Sequence, residues 1–404
     1  MARTPACTRA LAAAAVLAVL SCREDIAAPG QCPALCPSNQ VQVADTTLVG
    51  VDTSDVSIRG FVTPAEGSIL VVADLDSLQG RALLRFVRPA RWFPVASDTA
   101  GVTIGAVDSV TIDLRIARDT AVKNLRMLLY RLPASVDSTA TFASMDPFFA
   151  DSTLIDSIPL SAGDSLPVVV LHHKFLSPTG VEPFSSDSGA IGIGVGFRAD
   201  TLTAVTVSSV ESGASLRLKY FVHGPSATDT LRHTFDLAPR FDTFVTNPPA
   251  ATPGASLLVG NLPSARSVIR FTIPGFLLDS ATVVRATLVL SPTRPASGRP
   301  GETFDIEARP LVRDFGGKSI THTDTLLYSK ARVTVGDTAQ ISLEIARMLR
   351  FWAAAGDSLP RTILLRVTPE GGTLGEVSIA SRTAGARAPY LRVTYVKPYA
   401  FGVP

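Results

Sequence analysis

The chain repeats itself, and the repeat limits what it can fold into. Ser68-Ile69-Leu70-Val71 returns as Ser256-Leu257-Leu258-Val259, and Ala82-Leu83-Leu84-Arg85-Phe86 as Ser267-Val268-Ile269-Arg270-Phe271. Phe61-Val62-Thr63 matches Phe244-Val245-Thr246, and Ile191 to Ser209 aligns without a gap to Ile363 to Ser381. Leu216-Arg217-Leu218-Lys219-Tyr220 closes the first copy and Leu391-Arg392-Val393-Thr394-Tyr395 the second. Five matches in one order describe a duplicated unit, so any fold for one half must serve the other.

Both copies read as β. Val107–Ile116 and Val283–Leu290 alternate apolar and polar residues, as do Leu216–Tyr220 and Tyr390–Val396, the pattern of half-buried strands. Asp-Ser, Asp-Thr, Gly and Pro clusters between them are turn formers. Ala339–Ala355 differs, placing Ile341, Ile345, Met348, Leu349 and Trp352 at helical spacing, with Asp337 to cap the start and Gly356 the end. Trp352 is then a core anchor of a helix lying across the second copy. The expected fold class is all-β: two tandem jelly-roll-like antiparallel β-sandwich domains, the second with a short helix. The expected domains are 50–222 and 238–396, with a linker at 223–237 and a tail at 397–404.

The N-terminus has a different character. Arg3 and Arg9 precede an apolar run, Ala10 to Leu20, followed by Ser21 and Cys22. That is the layout of a secretory signal peptide, residues 1–21. As a helix the run would reach about 18 Å against about 30 Å of hydrocarbon, too short to span. Val19-Leu20-Ser21-Cys22 resembles the bacterial lipobox, which implies that Cys22 becomes the acylated first residue of the mature protein. The other reading is a plain secretory signal with an incidental cysteine. Residues 22–49 are Pro-, Ala- and Gln-rich without sustained periodicity over most of their length, and read as a flexible tether. In an exported chain, Cys32 and Cys36 suit a small disulfide loop; no histidine lies near them to favour a metal. The expected location is the cell envelope, lipid-anchored, at the outer membrane or cell surface.

Composition excludes more than it assigns. The 404 residues hold 46% apolar residues, enough for real cores, and a formal net charge of +2 gives no reason to expect nucleic acid as a partner. With the strands placed, Ser267–Pro274 followed by Ala281–Leu290 resembles the signature of DNRLRE-type domains. The helix with Trp352 and the strand Ile363–Val367 are similar to their later segment. The resemblance implies a β-sandwich of a bacterial exported protein, related to carbohydrate-binding modules. It is strong in the second copy and partial in the first, and it carries no functional residue because the matched positions are framework strands.

Three features invite a chemical reading. Gly163-Asp164-Ser165-Leu166 and Gly356-Asp357-Ser358-Leu359 spell the nucleophile block of GDSL-type esterases. None of the five histidines stands in the Asp-x-x-His arrangement that would activate such a serine, so an inherited Gly-Asp turn explains both, and no catalytic residue is expected. Pro167–Ala190 reads as an insertion of about 21 residues relative to the second copy, carrying His172, His173 and Phe175. Inserted loops often bind ligands, although adjacent histidines on a strand face opposite ways; a solvated loop with one packed Phe is the alternative. Trp92 and Phe93 are a candidate sugar platform or a hydrophobic bridge between strands. No Asp-x-Asp-x-Asp-Gly calcium loop exists, and neither metal nor cofactor is expected. The functional expectation is a non-enzymatic, lipid-anchored bacterial surface protein that binds extracellular carbohydrate or mediates adhesion. The alternative is a structural envelope component contacting another protein.

Overall fold

A computed structural model describes residues 43–87, 92–95, 98–160, 167–176, 180–184, 190–213, 216–224, 232–250, 254–313 and 322–397; for 92–95 and 98–103 it describes the backbone alone. Cys22, Cys32, Cys36, the signal, most of the tether, the Gly163–Leu166 turn and nearly all of the tail lie outside the described residues. Within them the protein is all-β, and every strand pairing is antiparallel. The expected strands are present: β7 spans Ala106–Ala117, β13 Arg217–His223, β18 Thr282–Leu290 and β24 Tyr390–Val396.

The duplication is visible in the pairing. In the first copy β3 (Ile69–Leu75), β4 (Leu78–Val87), β11 (Ala190–Arg198) and β12 (Thr203–Ser208) pair as β12-β3-β4-β11. β8 (Arg126–Leu132) and β9 (Leu154–Pro159) continue that order outward. In the second copy β16 (Leu257–Gly260), β17 (Ala265–Phe271), β19 (Thr303–Pro310), β20 (Ser329–Thr334), β22 (Thr362–Thr368) and β23 (Glu376–Ile379) repeat the arrangement as β23-β16-β17-β22-β19-β20. Facing these sheets, β13 pairs β7 in the first copy and β24 pairs β18 in the second. In the second copy the facing sheets stay separate. In the first, Thr206 and Val207 of β12 pair with Ala117 and Ile116 of β7, merging them into one curled sheet of 11 strands. Alternation drives each sheet to bury one face. One cluster gathers Leu84, Phe86, Ile112, Leu114, Ile193 and Leu218; the other gathers Ile269, Phe271, Leu288, Ile363, Leu365 and Leu391.

The strands that complete each copy come from an unexpected place. β1 (Val43–Leu48) and β2 (Asp52–Arg59) precede the first copy, yet β1 pairs β24 and β2 pairs β17 of the second. β14 (Arg232–Leu237) and β15 (Phe241–Asn247) precede the second copy, yet they pair β13 and β4 of the first. Each body is completed by the strand pair that the sequence places in front of the other. The sheets therefore divide the chain at different points from the expected boundaries: 52–59 belong with the second core and 241–247 with the first. Register also corrects one repeat match. Leu83 faces Thr243 while its counterpart Val268 faces Val56, so Phe244 corresponds to Ser57 rather than to Phe61.

Three other expectations are revised. The helix, α3 after α1 (Phe142–Met145) and α2 (Gly275–Asp279), starts at Ala346, not near Ala339. Ile341–Glu344 is strand β21, with Ile341 and Leu343 buried and Ser342 and Glu344 exposed, a period of two that the helical reading absorbed. Asp337 instead accepts from the Ala339 N–H in a turn at 2.8 Å. Gly356 does end the helix, at φ +60°, and Trp352 is fully buried. The segment read as an inserted loop is largely strand β10 (Val168–Leu176), paired with β7 as β21 is with β18. Because Gly163–Leu166 precedes β10 while Gly356–Leu359 follows β21, the two Gly-Asp-Ser-Leu runs occupy different connections and are not an inherited turn. Phe184 and Trp352, both fully buried, fill corresponding connections between β10 and β11 and between β21 and β22.

Matched acids hold the exchanged strands. Asp55 of β2 accepts from the Arg382 N–H at 2.6 Å, and Asp242 of β15 accepts from the Val210 N–H at 2.9 Å. The donors follow Ser381 and Ser209, which are matched in the repeat. Each acid has an acidic neighbour. Burial, reinforced by Asp55, pushes the Asp52 carboxyl up to about 7; burial, with Glu211 adding to it, pushes Asp242 up to about 6. Both groups hold more protons folded than unfolded, so their own contribution to stability is greatest at acid pH and falls as pH rises towards 6 and 7. Between pH 5 and 8 the loss from Asp52 should be on the order of 2 kcal/mol. Asp52→Asn should flatten that slope in denaturant titrations at the two pH values; an unchanged slope would remove Asp52 as its origin.

Candidate binding face

β10 is an edge strand, and its alternation divides the candidate residues between two environments. His173 and Phe175 turn inward. Phe175 is 5% exposed and packs on Phe184, ring centroids 4.7 Å apart. His173 sits edge-on to Phe175 at 4.8 Å and places Nε2 2.8 Å from Asp156 Oδ2. Phe175 is therefore a core side chain and cannot be a ligand contact. His172 turns outward, its side chain 63% exposed, with Nδ1 2.7 Å from Asp113 Oδ1. The pair faces opposite ways, as strand geometry requires, and binds no common partner. Trp92 and Phe93 lie on the ribbon of β5 (Trp92–Val95) and β6 (Asp98–Thr103), which has no counterpart strand in the second copy among the described residues. Their side chains lie outside the described residues.

His172 belongs to a face that sequence reasoning did not assemble. Antiparallel register aligns β10, β7 and β13 in rows: His172, Asp113 and Arg217; Lys174, Thr111 and Lys219; Leu176, Ser109 and Phe221. β14 adds Asp236 beside Lys219 and Thr234 beside Phe221. Asp113 is buried and is held from both sides. It receives Arg217 Nε at 3.1 Å on one oxygen and faces His172 with the other, while Arg217 also reaches Asp236 at 3.1 Å. In the other rows the half-buried Phe221 ring has the Lys174 ammonium 5.4 Å and the Lys219 ammonium 5.6 Å from its centre. Parity was the available signal, since Lys174 shares a face with His172, and Lys219 with Phe221.

The Gly-Asp-Ser-Leu run of the second copy forms a tight turn after α3. Ser358 donates its hydroxyl to the Ala355 carbonyl at 2.6 Å, and the exposed Asp357 pairs with Arg361 at 3.0 Å. That geometry fastens the end of a helix. Among the described residues, no group of three or more His, Cys, Asp or Glu is placed to hold a metal ion, and no helix is long and apolar enough to cross a membrane.

No protein-family model matches the chain, and no curated protein does. Among solved structures, the tandem CBM22-1-CBM22-2 domain of Paenibacillus barcinonensis Xyn10C is similar at 8% identity and TM-score 0.16, over 86% of this chain and 99% of that one. The Macrobrachium rosenbergii nodavirus follows at 8% and 0.15, over 92% and 95%. The infectious bursal disease virus VP2 subviral particle gives 11% and 0.14, over 92% and 81%. Likenesses this weak carry no argument about ligand or partner.

The inward and outward halves of β10 should respond differently to truncation. Phe175→Ala removes a buried aromatic side chain and should cost about 3–5 kcal/mol, whereas His172→Ala should cost under about 1 kcal/mol. Denaturant melts of the two variants decide it, and equal costs would contradict the assigned orientation of the strand.

Proposed function

We propose that the protein is a non-enzymatic, lipid-anchored bacterial surface protein whose two copies are jelly-roll-like sandwiches, and that it binds extracellular carbohydrate. The observation that carries the binding reading is the open face of β10, β7, β13 and β14. It sets an aromatic ring, hydroxyls and charged groups on a rigid sheet, the mixture that sugars use for C–H packing and hydrogen bonding. Attachment through Cys22 rests on the lipobox-like sequence. Ser358, committed to its own turn, supports a role outside ester hydrolysis.

Two measurements test the proposal. Glycan-array binding by the mature protein should fall at least tenfold in Phe221→Ala, with Trp92→Ala run beside it; retention in both would remove the aromatic contribution. Cys22→Ser should release the protein from membranes or leave it unprocessed, because acyl chains each add about 0.8 kcal/mol per buried CH₂. Normal partition of that variant into detergent would remove the anchor.

The exchanged strands favour a second reading, a structural envelope component, since they tie the two copies together through both cores. Specific co-purification with an envelope complex, without glycan binding, would select it.

A further inference from the structure

We infer that the first copy's β10–β7–β13 face recognises an acidic polysaccharide, with Lys174 and Lys219 together taking the carboxylates of its uronic acid units. The inference rests on the carbohydrate-binding reading and names its ligand class.

Charge on the face is unevenly distributed. Arg217 is matched by Asp113 and Asp236, which it contacts directly. Lys174 and Lys219 make no ion pair among the described residues, although Asp236 stands opposite Lys219 in the ladder. What holds both ammoniums is the ring of Phe221. A ring quadrupole positions a cation without neutralising it, unlike a carboxylate. The row therefore presents two full positive charges, restrained about one aromatic, with the Thr111 hydroxyl between their strands. Arg115, exposed on the same face of β7, adds a further cation. With Arg232 beside Asp108 in the adjoining row, five permanent cations stand here against three carboxylates, so the face has a positive surplus even though the chain as a whole carries only +2.

The second copy supplies an internal control. Register places Arg392 at the position of Arg217 and Asp45 at that of Asp236, but Thr287 at that of Asp113 and Arg285 at that of Thr111, and Arg392 donates to the Tyr390 hydroxyl in place of a carboxylate. Thr394 stands where Lys219 does, Val396 where Phe221 does and Glu344 where His172 does. Asp45 there bonds Thr394 at 2.5 Å. A ring between two cations recurs in the second copy at Tyr328, with Arg309 and Lys330, but both of those reach Glu307, whereas the cations about Phe221 reach no carboxylate among the described residues. Spacing also suits a polymer: Lys174 and Lys219 stand on the two strands that flank β7, about 10 Å apart at the backbone, so carboxylates spaced along one extended glycan can reach both. Individual contacts of this kind are weak, and several engaged along one chain make the binding measurable.

The test uses the mature protein with polygalacturonate, alginate, fully methyl-esterified polygalacturonate and duplex DNA, in affinity electrophoresis and calorimetry at two salt concentrations. Binding to at least one uronate polymer is expected, weakening with salt and lost on esterification, which removes the charge and keeps the backbone. Lys174→Gln/Lys219→Gln should lower affinity at least tenfold with an unchanged melting temperature, while Arg392→Gln in the second copy should leave it unchanged. Equal binding to the esterified polymer or to DNA, or full affinity in the double variant, would overturn the lysine site. Binding to neutral glycans only would overturn the acidic class and leave the carbohydrate reading standing. Absence of binding to every glycan on the array and to both uronates would remove that reading and this inference with it.

Discussion

The architecture depends on one constraint: neither core can close without strands from the other side of the chain. β1 and β2 fill the second copy before the first has begun, and the chain then builds the whole first core before it returns. It passes from one core to the other between β2 and β3 and again between β15 and β16. The first crossing is fastened to the second half: Gly60 donates to the Ser264 carbonyl at 2.9 Å, Val62 and Ser264 exchange bonds, and Ser68 donates to the Gly371 carbonyl at 2.7 Å. The end of β2 is fixed as well, because Arg59 pairs with Glu376, a carboxylate 3% exposed that also takes Arg294 at 2.8 Å. Buried pairs of this kind add little net stability, but breaking one leaves an uncompensated charge, so they penalise misplacement. The two halves consequently form a nested unit.

The same constraint explains the paired acids. An exchanged strand must be recognised by the body it joins, and backbone hydrogen bonds alone cannot specify register. Asp55 and Asp242 add a side-chain contact to a single backbone N–H, at the first residue of a turn that both copies possess. A slip of one residue would turn either carboxylate to the opposite face and leave that N–H unsatisfied.

Local patterning was legible and long-range pairing was not. Val107–Ile116, Val283–Leu290 and Tyr390–Val396 are strands because alternation at period two survives in them. The helix start was misplaced because Ile345 belongs to both periods: it continues Ile341 and Leu343 at a spacing of two and begins Met348, Leu349 and Trp352 at three to four. The exchange could not be read at all. β1 and β14 have the same alternating half-exposed pattern, and either would suit either body; β1 docks on β24, about 350 residues away, whereas β14 turns back onto its chain neighbour β13. The candidate face was missed for a related reason. Lys219 and Phe221 fall in a closing strand whose repeat match marked it as framework, and their meaning depends on Lys174 lying two strands away.

Duplication separates these roles more sharply than one domain could. A position filled alike and bonded alike in both copies, such as Asp55 and Asp242, answers a demand of the fold that each copy meets independently. A position filled differently has been released from that demand. By this test His172 is free to vary, since Glu344 stands in its place, and its bond to Asp113 is one local solution among several for an exposed edge. Phe184 and Trp352 differ in kind but both plug a corresponding connection, so their demand is volume rather than identity. Phe221 with its two lysines meets no demand visible in the second copy, where Thr394 and Val396 complete the same sheet. Chemistry beyond folding is to be sought there.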